Sequence, residues 1–334
     1  MTTATHPALR TSLCDVLGIT YPICQAGMGY VARAALAAAV SEAGGLGVIA
    51  AAQFTPAELR QEIHRVRDLT DKPFGVDILF ATVRAAGEEA ERFTDAVRGW
   101  ADVTLEERVP VLAAGLGNPG PITAAAHRQG MKVMALCGNV KQARDHVGNG
   151  VDIVIAQGHE AGGHTGRIAG LVLIPAVIDA VSPVPVVAAG GVADGRGLVA
   201  ALALGAVGVW LGTRFIATPE AHGHVGYKDK IVAIDEEGTV VTRGASGKPC
   251  RLIRNNFTRE WERREAEILP FPIQAVRVGR PASILAREQG DIDNGNAPCG
   301  QSAGLIRDIR PAGDVVRSLI EEAEAVLTRL ARAR

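Results

Sequence analysis

Eight short apolar segments recur along the first two thirds of the chain, and this repetition restricts the fold more than any other feature. Most of them are almost continuously apolar, as strands buried on both faces of a parallel sheet are. Gly- or Pro-marked loops and helical segments follow them, so that one strand-then-helix unit occupies about 20–35 residues. The eight segments are 21–28, 45–51, 73–80, 109–116, 132–138, 151–158, 183–191 and 206–215.

The strongest helix start follows the second apolar segment. Thr55 is suited to the N-cap, Pro56 to the first helical position and Glu58 to the third. The eight units predict a (β/α)8 TIM barrel, with a doubly wound open sheet as the alternative. We favour the barrel because the units run without interruption and glycine-marked loops follow most strands. The predicted helices are 32–44, 55–71, 118–130, 139–150, 171–181 and 194–205.

The repetition stops after the eighth segment. Residues 216–310 combine a hairpin-like sequence, 234–242, with a charged helical segment around Trp261 and a loop-rich stretch. We therefore expect an appended C-terminal subdomain or cap at one end of the barrel, and a last helix that docks on the outside. The predicted division is a barrel of residues 12–215 and 311–330 with a cap of residues 216–310.

Composition narrows the classes of protein. The 334 residues are 47% hydrophobic and 21% charged, which suits a globular protein with a large core. A net charge of −1 gives no reason to expect nucleic acid as a partner. Five scattered cysteines without a CxxC pair argue against a disulfide framework or zinc site. No signal peptide and no apolar run of about 18 residues is found, so we expect a cytoplasmic protein without a membrane span.

Paired glycines follow the seventh and eighth segments. The carboxyl ends of barrel strands carry the chemistry, and the loops after strands 7 and 8 commonly bind phosphate through free backbone N–H groups. We expect Gly190, Gly191, Gly212 and Thr213 to form such a site, because a side chain at the glycines would block an approaching oxyanion. The alternative is that these glycines only allow the loops to turn.

The sequence GMGYVA at residues 27–32 matches the dinucleotide-binding fingerprint G-x-G-x-x-A. That motif requires an acidic ribose partner after the second strand, where this chain has only Ala-Gln-Phe. We therefore expect the backbone of Gly27 and Met28 to lie flat against a planar ligand instead. Asp77, in the third segment, is expected to face the same ligand, whose amide or ring N–H would donate to the carboxylate.

Two histidines follow the sixth segment in the sequence QGHEAGGHTG. His159, Glu160 and His164 are spaced one residue wider than the zincin motif, and Gly162 and Gly163 disfavour the helix that such a metal site needs. No metal is expected. An imidazole at His164, over the barrel mouth, can act as a general base or donate to a developing anion. A structural hydrogen bond is the alternative role.

Several of these segments together resemble the nitronate monooxygenase (2-nitropropane dioxygenase-like) family. They are PICQAGMG, AGGLGVIAA, PFGVDI, AQGHEAGGHTG, PVVAAGGVADGRGLVAALALGAVGVWLGTRF and CGQSAGLI, within residues 12–325. The resemblance implies a TIM barrel that binds FMN and uses His164 as the catalytic histidine. It also implies that the phosphate lies on Gly190, Gly191, Gly212 and Thr213, the ribityl chain and flavin along Gln157, Gly162 and Gly163, and the ring on Gly27 and Met28.

Asp77 departs from this family's pattern, which commonly has Asn after FGV. Asparagine both donates and accepts a hydrogen bond, whereas an ionised aspartate only accepts. The substitution implies either a rearranged flavin contact or a different substrate.

Three functions remain open from the sequence. The first is oxidation of alkyl nitronates with O2, in which His164 orients the nitronate or removes the α-proton of a neutral nitroalkane. The second, found in relatives of the family, is NAD(P)H-dependent reduction of an enoyl-CoA, an enoyl-ACP or a quinone, with His164 as proton donor or thioester binder. The third is a flavin-free barrel that binds a phosphorylated metabolite. A homodimer, formed through residues 216–310 or an outer helix, is the assembly considered.

Overall fold

A computed structural model of the chain describes residues 6–80 and 87–332. In this part of the chain, eight parallel strands pair in the order in which they occur. The last strand pairs with the first, and a parallel bridge from Cys24 to Leu46 joins the first strand to the segment leading into the second. The sheet thus returns to its own start, which confirms the predicted TIM barrel. The strands are β1 (Ile23–Gln25), β2 (Gly47–Ala50), β3 (Phe74–Phe80), β4 (Val111–Gly117), β5 (Lys132–Cys137), β6 (Ile153–Gln157), β7 (Val186–Ala189) and β8 (Gly208–Leu211).

The strands are apolar on both faces because each face packs against a different core. In β4, Val111 and Ala113 belong to a cluster that also holds Met134 and Trp210. Leu112, between them in sequence, belongs to the cluster formed with the surrounding helices. Alternate residues of a strand point to opposite faces, so both faces must be apolar when neither meets water.

Helices follow the strands on the outside. The capping box predicted at Thr55 is confirmed, with reciprocal hydrogen bonds between Thr55 and Glu58. Two sequence-based expectations need correction. A helix between β3 and β4, Glu88–Glu106, was not predicted, and the eighth segment is not a strand to residue 215, because the chain turns into a helix at Thr213. The helices are Ser12–Leu17, Ala34–Glu42, Pro56–Leu69, Glu88–Glu106, Gly120–Arg128, Val140–Gly148, Gly170–Val181, Gly195–Ala203 and Thr213–Ile216.

The segment after the barrel is joined to the barrel mouth by strand pairing. The hairpin expected within residues 234–242 lies further along the chain. Thr239–Thr242 is its first strand, and this strand pairs with Cys250–Ile253. Cys250–Ile253 also pairs with Gly163–His164, which makes the loop after β6 the third strand of this small sheet. The domain division itself stays a prediction. The helices of this segment are Val225–Ala233, Asn256–Arg263 around Trp261 as predicted, and Arg280–Arg287.

The last helix, Ala312–Arg332, packs against Gly195–Ala203 and Ala34–Glu42 on the outside of the barrel. Its approach is close at Gly195, where a Cβ would lie 2.3 Å from the backbone nitrogen of Ala323. Of the helices in the described ranges, none is both long and apolar enough to cross a membrane.

Candidate active site

The loop after β1 meets β3 and β8 at the carboxyl ends of the strands. A Cβ at Gly27 would lie 2.2 Å from the Cβ of Asp77, and one at Gly115 would lie 2.6 Å from Asp77 Oδ1. Asp77 therefore fills the space between two bare backbones. A Cβ at Gly212 would lie 3.4 Å from Met28 Sδ. The structure thus brings together Gly27, Met28 and Asp77, the residues expected to contact a planar ligand ring. Gly212, one residue of the expected phosphate site, lies next to them.

The loop after β6 meets the loops after β7 and β8. A Cβ at Gly190 would lie 3.1 Å from the backbone of this loop, and one at Gly162 would lie 2.7 Å from the backbone of both Cys299 and Gly300. The N–H of Gly300 donates to Thr213 Oγ1 at 2.9 Å. All three loops therefore converge on one mouth, and residues 299–300 from near the end of the chain tie them together.

The turn after β7 is bare backbone in a conformation that favours glycine. Gly190 and Gly191 have φ values of +91° and +73°, and Gly191 is exposed. Gly212 precedes the short helix that begins at Thr213. Consecutive glycines of this kind, beside a second glycine turn, form the type of concave backbone that accepts an anion. The turn therefore has a shape suited to an anion, and its assignment to a phosphate stays a prediction.

His164 lies between the barrel and the small sheet. Its backbone pairs with Cys250, and its carbonyl accepts a hydrogen bond from Gln157 Nε2 at the end of β6. Its imidazole Nε2 lies 2.8 Å from Ser246 Oγ, and the side chain is partly exposed. Gln157, which was expected to lie along the flavin, thus also fixes the backbone of His164. Gly163, which precedes His164, has a φ of +75°.

The other two residues of the histidine-rich loop have structural partners. His159 Nδ1 lies 2.9 Å from the carbonyl of Gly166, and both carboxylate oxygens of Glu160 accept from the N–H of Gly170, at 3.1 and 3.2 Å. Glu160 thus satisfies the first N–H of the helix that begins at Gly170. Within residues 6–80 and 87–332, no group of three or more His, Cys, Asp or Glu side chains is arranged to hold a metal.

Residues 10–322 match the nitronate monooxygenase family. The chain belongs to this family. It is 40% identical over 256 residues to (3aS,4S,5R,7aS)-5-hydroxy-7a-methyl-1-oxo-octahydro-1H-indene-4-carboxyl-CoA dehydrogenase of Mycobacterium tuberculosis, which covers 76% of this chain and 69% of that protein. FabK from Thermotoga maritima superimposes with a TM-score of 0.88 and 38% identity, over 97% of this chain and 99% of FabK.

A nitroalkane oxidase from Streptomyces ansochromogenes superimposes with a TM-score of 0.84 at 32% identity, over 96% of this chain and 100% of that protein. The family consists of oxidoreductases that are generally flavin-dependent, and this chain is an enzyme of that class.

In this nitronate monooxygenase family member, the surroundings of His164 favour its neutral form. Partial burial between the barrel and the small sheet, followed by the positive charges of Lys248 and Arg287, lowers the pKa of His164 to about 4. At neutral pH the imidazole is therefore uncharged. One ring nitrogen carries a proton and the other accepts, so His164 can still donate one hydrogen bond to a substrate or to Ser246.

Asp77 is also neutral at neutral pH, because burial raises the pKa of an acid whereas it lowers the pKa of a base. Its side chain is buried, with 7% of the residue exposed, and Oδ1 has no hydrogen-bond partner among the described residues. Burial raises the pKa of Asp77 to about 8, although the N–H of Gly115 acts in the opposite direction. The sequence suggested an ionised carboxylate that only accepts. A protonated carboxyl also donates, which restores the two-way hydrogen bonding of an asparagine.

Sequence reasoning did not single out Ser246, Lys248 or Arg287. All three lie in the segment after the barrel, outside the loops that follow the barrel strands. Ser246 meets His164 next to the pairing of Cys250–Ile253 with Gly163–His164, and Arg287 reaches the loop after β1 from the helix Arg280–Arg287. The segment CGQSAGLI, which includes Gly300, pointed to the family but not to the contact with Thr213.

Proposed function

We propose that this enzyme is an FMN-dependent oxidoreductase that oxidises alkyl nitronates with O2. The observation that carries the proposal is the position of the His164 imidazole at the barrel mouth, with Nε2 2.8 Å from Ser246 Oγ. Its burial and the positive charges of Lys248 and Arg287 keep it neutral. A nitronate is already deprotonated, so it needs no strong base, and the two cations favour its negative charge. The neutral imidazole can orient the nitronate by donating a hydrogen bond.

FMN supplies the electron-transfer chemistry when it is bound. This chain's residues would bind and position it. Asp77 Oδ1, which is buried and has no hydrogen-bond partner among the described residues, would offer a hydrogen-bonding group to the flavin ring. Gln157, Gly162 and Gly163 would lie along the ribityl chain and the ring edge. The remaining assignments are Gly27 and Met28 to the ring, and Gly190, Gly191, Gly212 and Thr213 to the phosphate.

A second candidate is NAD(P)H-dependent reduction of an enoyl-CoA, an enoyl-ACP or a quinone. Identity of 40% to a carboxyl-CoA dehydrogenase favours a thioester substrate. The state of His164 argues against it, because an imidazole whose conjugate acid has a pKa of about 4 is not an imidazolium at neutral pH, and the neutral ring is a weak general acid.

Anaerobic mixing separates these functions. We expect the purified protein to show flavin bands near ~370 and ~450 nm, and ethyl nitronate to bleach the longer-wavelength band whereas NADPH does not. Bleaching by NADPH alone would establish the second candidate. A colourless protein that cannot be reconstituted with FMN would leave the flavin-free, phosphate-binding barrel. A homodimer and a cytoplasmic location stay predictions.

A further inference from the structure

One peptide unit in the loop after β1 has both of its polar atoms held by side chains. The carbonyl of Gly29 accepts a hydrogen bond from Arg287 Nη1 at 2.7 Å, and the N–H of Tyr30 donates to Gln53 Oε1. Arg287 belongs to the segment after the barrel, whereas Gln53 lies in the turn that follows β2. The peptide between Gly29 and Tyr30 is therefore fixed from two sides by other parts of the chain.

The same peptide is the centre of a tight turn. The N–H of Val31 donates to the carbonyl of Met28 at 3.0 Å. Of the two central residues, Gly29 and Tyr30, only Tyr30 has a positive φ, of +64°. This is the pattern of a type II turn, whose second central residue is normally glycine or asparagine. A tyrosine there is strained because of its Cβ, and such strain persists only where the surrounding structure fixes the backbone.

Arg287 is suited to fix the direction of this peptide. Only 8% of the residue is exposed, and its Nε donates to the carbonyl of Asn296 at 3.2 Å. Its guanidinium also lies over the ring of Tyr30, 5.5 Å from the centroid. An arginine has donors and no acceptor, whereas the amide of Gln53 has both. If the peptide turned over, the Tyr30 N–H would face the guanidinium, donor against donor, so Arg287 permits only the observed direction.

The turn begins at Met28, which lies in the barrel mouth. A Cβ at Gly212 would lie 3.4 Å from Met28 Sδ, and one at Gly27 would overlap Asp77. Turning the peptide over would let Tyr30 adopt the negative φ of a type I turn, and it would change the direction in which the chain leaves Met28. The backbone that is expected to lie against a planar ring thus depends on the state of this turn.

We propose that Arg287 is a positioning residue for the cofactor: it holds the peptide between Gly29 and Tyr30 in its strained direction, and so keeps the backbone of Gly27 and Met28 in place for the flavin ring. The inference rests on the FMN-binding part of the proposed function. It does not depend on which substrate the flavin oxidises or reduces, because Arg287 acts through the loop after β1 rather than on the substrate.

Arg287→Met tests this role, since it removes the donors and keeps an unbranched side chain in the buried position. We expect it to weaken FMN binding by about tenfold, because part of the free protein then populates the relaxed turn. Adding Tyr30→Gly should restore the affinity to within about threefold of wild type, because glycine adopts a positive φ without strain. The measurement is the dissociation constant of FMN for the apoprotein, from the change in FMN fluorescence.

The matched control is Tyr30→Ala in the Arg287→Met protein. It removes the same ring but keeps the strained Cβ, so it should not restore FMN binding. Arg287→Lys, which can still donate to the Gly29 carbonyl, should weaken FMN binding less than Arg287→Met does. If Arg287→Met does not fold, the two Tyr30 substitutions are compared in Arg287→Lys. Restoration by both Tyr30 substitutions or by neither, or an FMN affinity that neither Arg287 variant changes, would overturn the proposal.

Hydrogen exchange separates this proposal from the proposed function. In the protein without flavin, the Tyr30 N–H should exchange about tenfold faster in Arg287→Met than in wild type, because the turn opens more often. An unchanged rate would show that Arg287 does not hold the peptide. Faster exchange in a protein that binds no FMN would overturn the proposed function together with the cofactor role of Arg287. Reduction of the bound FMN by NADPH rather than by a nitronate would overturn the nitronate assignment alone.

Discussion

Asp77 and His164 belong to different parts of the barrel mouth and become neutral by opposite routes. Asp77 lies in the wall, on β3, between the bare backbones of Gly27 and Gly115. His164 lies where the barrel meets the appended segment, beside Ser246. Burial raises the pKa of Asp77 to about 8, whereas the pKa of His164 falls to about 4. Both groups are therefore uncharged at neutral pH.

The difference shows which part of the fold controls which property. Burial in the wall is sufficient for Asp77, and no charged side chain contributes to its shift among the described residues. His164 depends in part on Lys248 and Arg287, both supplied by the appended segment. The barrel thus sets the polarity of the site, and the appended segment adjusts the residue expected to meet the substrate. Substitutions in the two regions should have separable effects.

The largest effect is expected at His164. His164→Ala should reduce turnover of ethyl nitronate by about 10²–10⁴-fold, the usual contribution of a positioned acid–base group. FMN should stay bound, because the residues assigned to its phosphate and ring are elsewhere. The measurement is kcat per bound flavin, with the flavin-to-protein absorbance ratio as the control. Loss of flavin with unchanged turnover per remaining flavin would assign His164 to cofactor binding instead.

Asp77→Asn should mainly alter the dependence of stability on pH. From pH about 4 to about 8 the unfolded chain has released the Asp77 proton while the folded protein retains it, so the Asp77 contribution to stability falls as pH rises. Above pH about 8 both states are ionised and the contribution is constant. Asparagine does not ionise, so Asp77→Asn removes this pH-dependent loss of stability. Each unit of difference between the folded and unfolded pKa of Asp77 corresponds to about 1.4 kcal/mol.

Urea unfolding at a series of pH values tests this expectation. Asp77→Asn should equal wild type near pH 4 and exceed it by about 2–5 kcal/mol at pH 9, without reducing turnover as His164→Ala does. The control is Asp229→Asn, an exposed aspartate on the helix Val225–Ala233, which should show no such divergence. A difference between Asp77→Asn and wild type that is the same at all pH values would show that Asp77 is ionised when folded.

The same two regions explain what could be predicted from the sequence. The strands of the barrel wall could be predicted because burial on both faces produces local, continuous apolar segments. Asp77 lies within one of these segments. The contact of Ser246 with His164 spans 82 positions and that of Arg287 with Gly29 spans 258, and no local pattern encodes either. The eighth strand was predicted too long because the helix Thr213–Ile216 follows it after a single glycine and is also buried, including the apolar Phe215.

The missed helix Glu88–Glu106 has a different cause. Trp100, Ala101, Val103 and Thr104 are buried and follow helical spacing. The segment is nevertheless largely polar and lacks the capping pattern that identified the helix after Thr55. Local patterns therefore located the elements that carry the barrel and its glycine turns, while the residues that adjust His164 required the three-dimensional structure.

The smallest effect is expected at Ser246, the hydroxyl that connects the appended segment to His164. Ser246 is fixed by its own loop, since its Oγ accepts from the N–H of Lys248 at 3.3 Å. Ser246→Ala should lower kcat by about threefold to tenfold, because one neutral hydrogen bond that orients the imidazole is lost. It should leave KM nearly unchanged and should shift the pH profile of kcat/KM. Ser246→Thr, which keeps the hydroxyl, should restore both. Two results would contradict this role: a loss of stability with an unchanged pH profile, or a decrease of kcat in Ser246→Thr equal to that in Ser246→Ala. Either result would mean that the hydroxyl only supports the loop, and that Lys248 and Arg287 alone influence His164 from this segment.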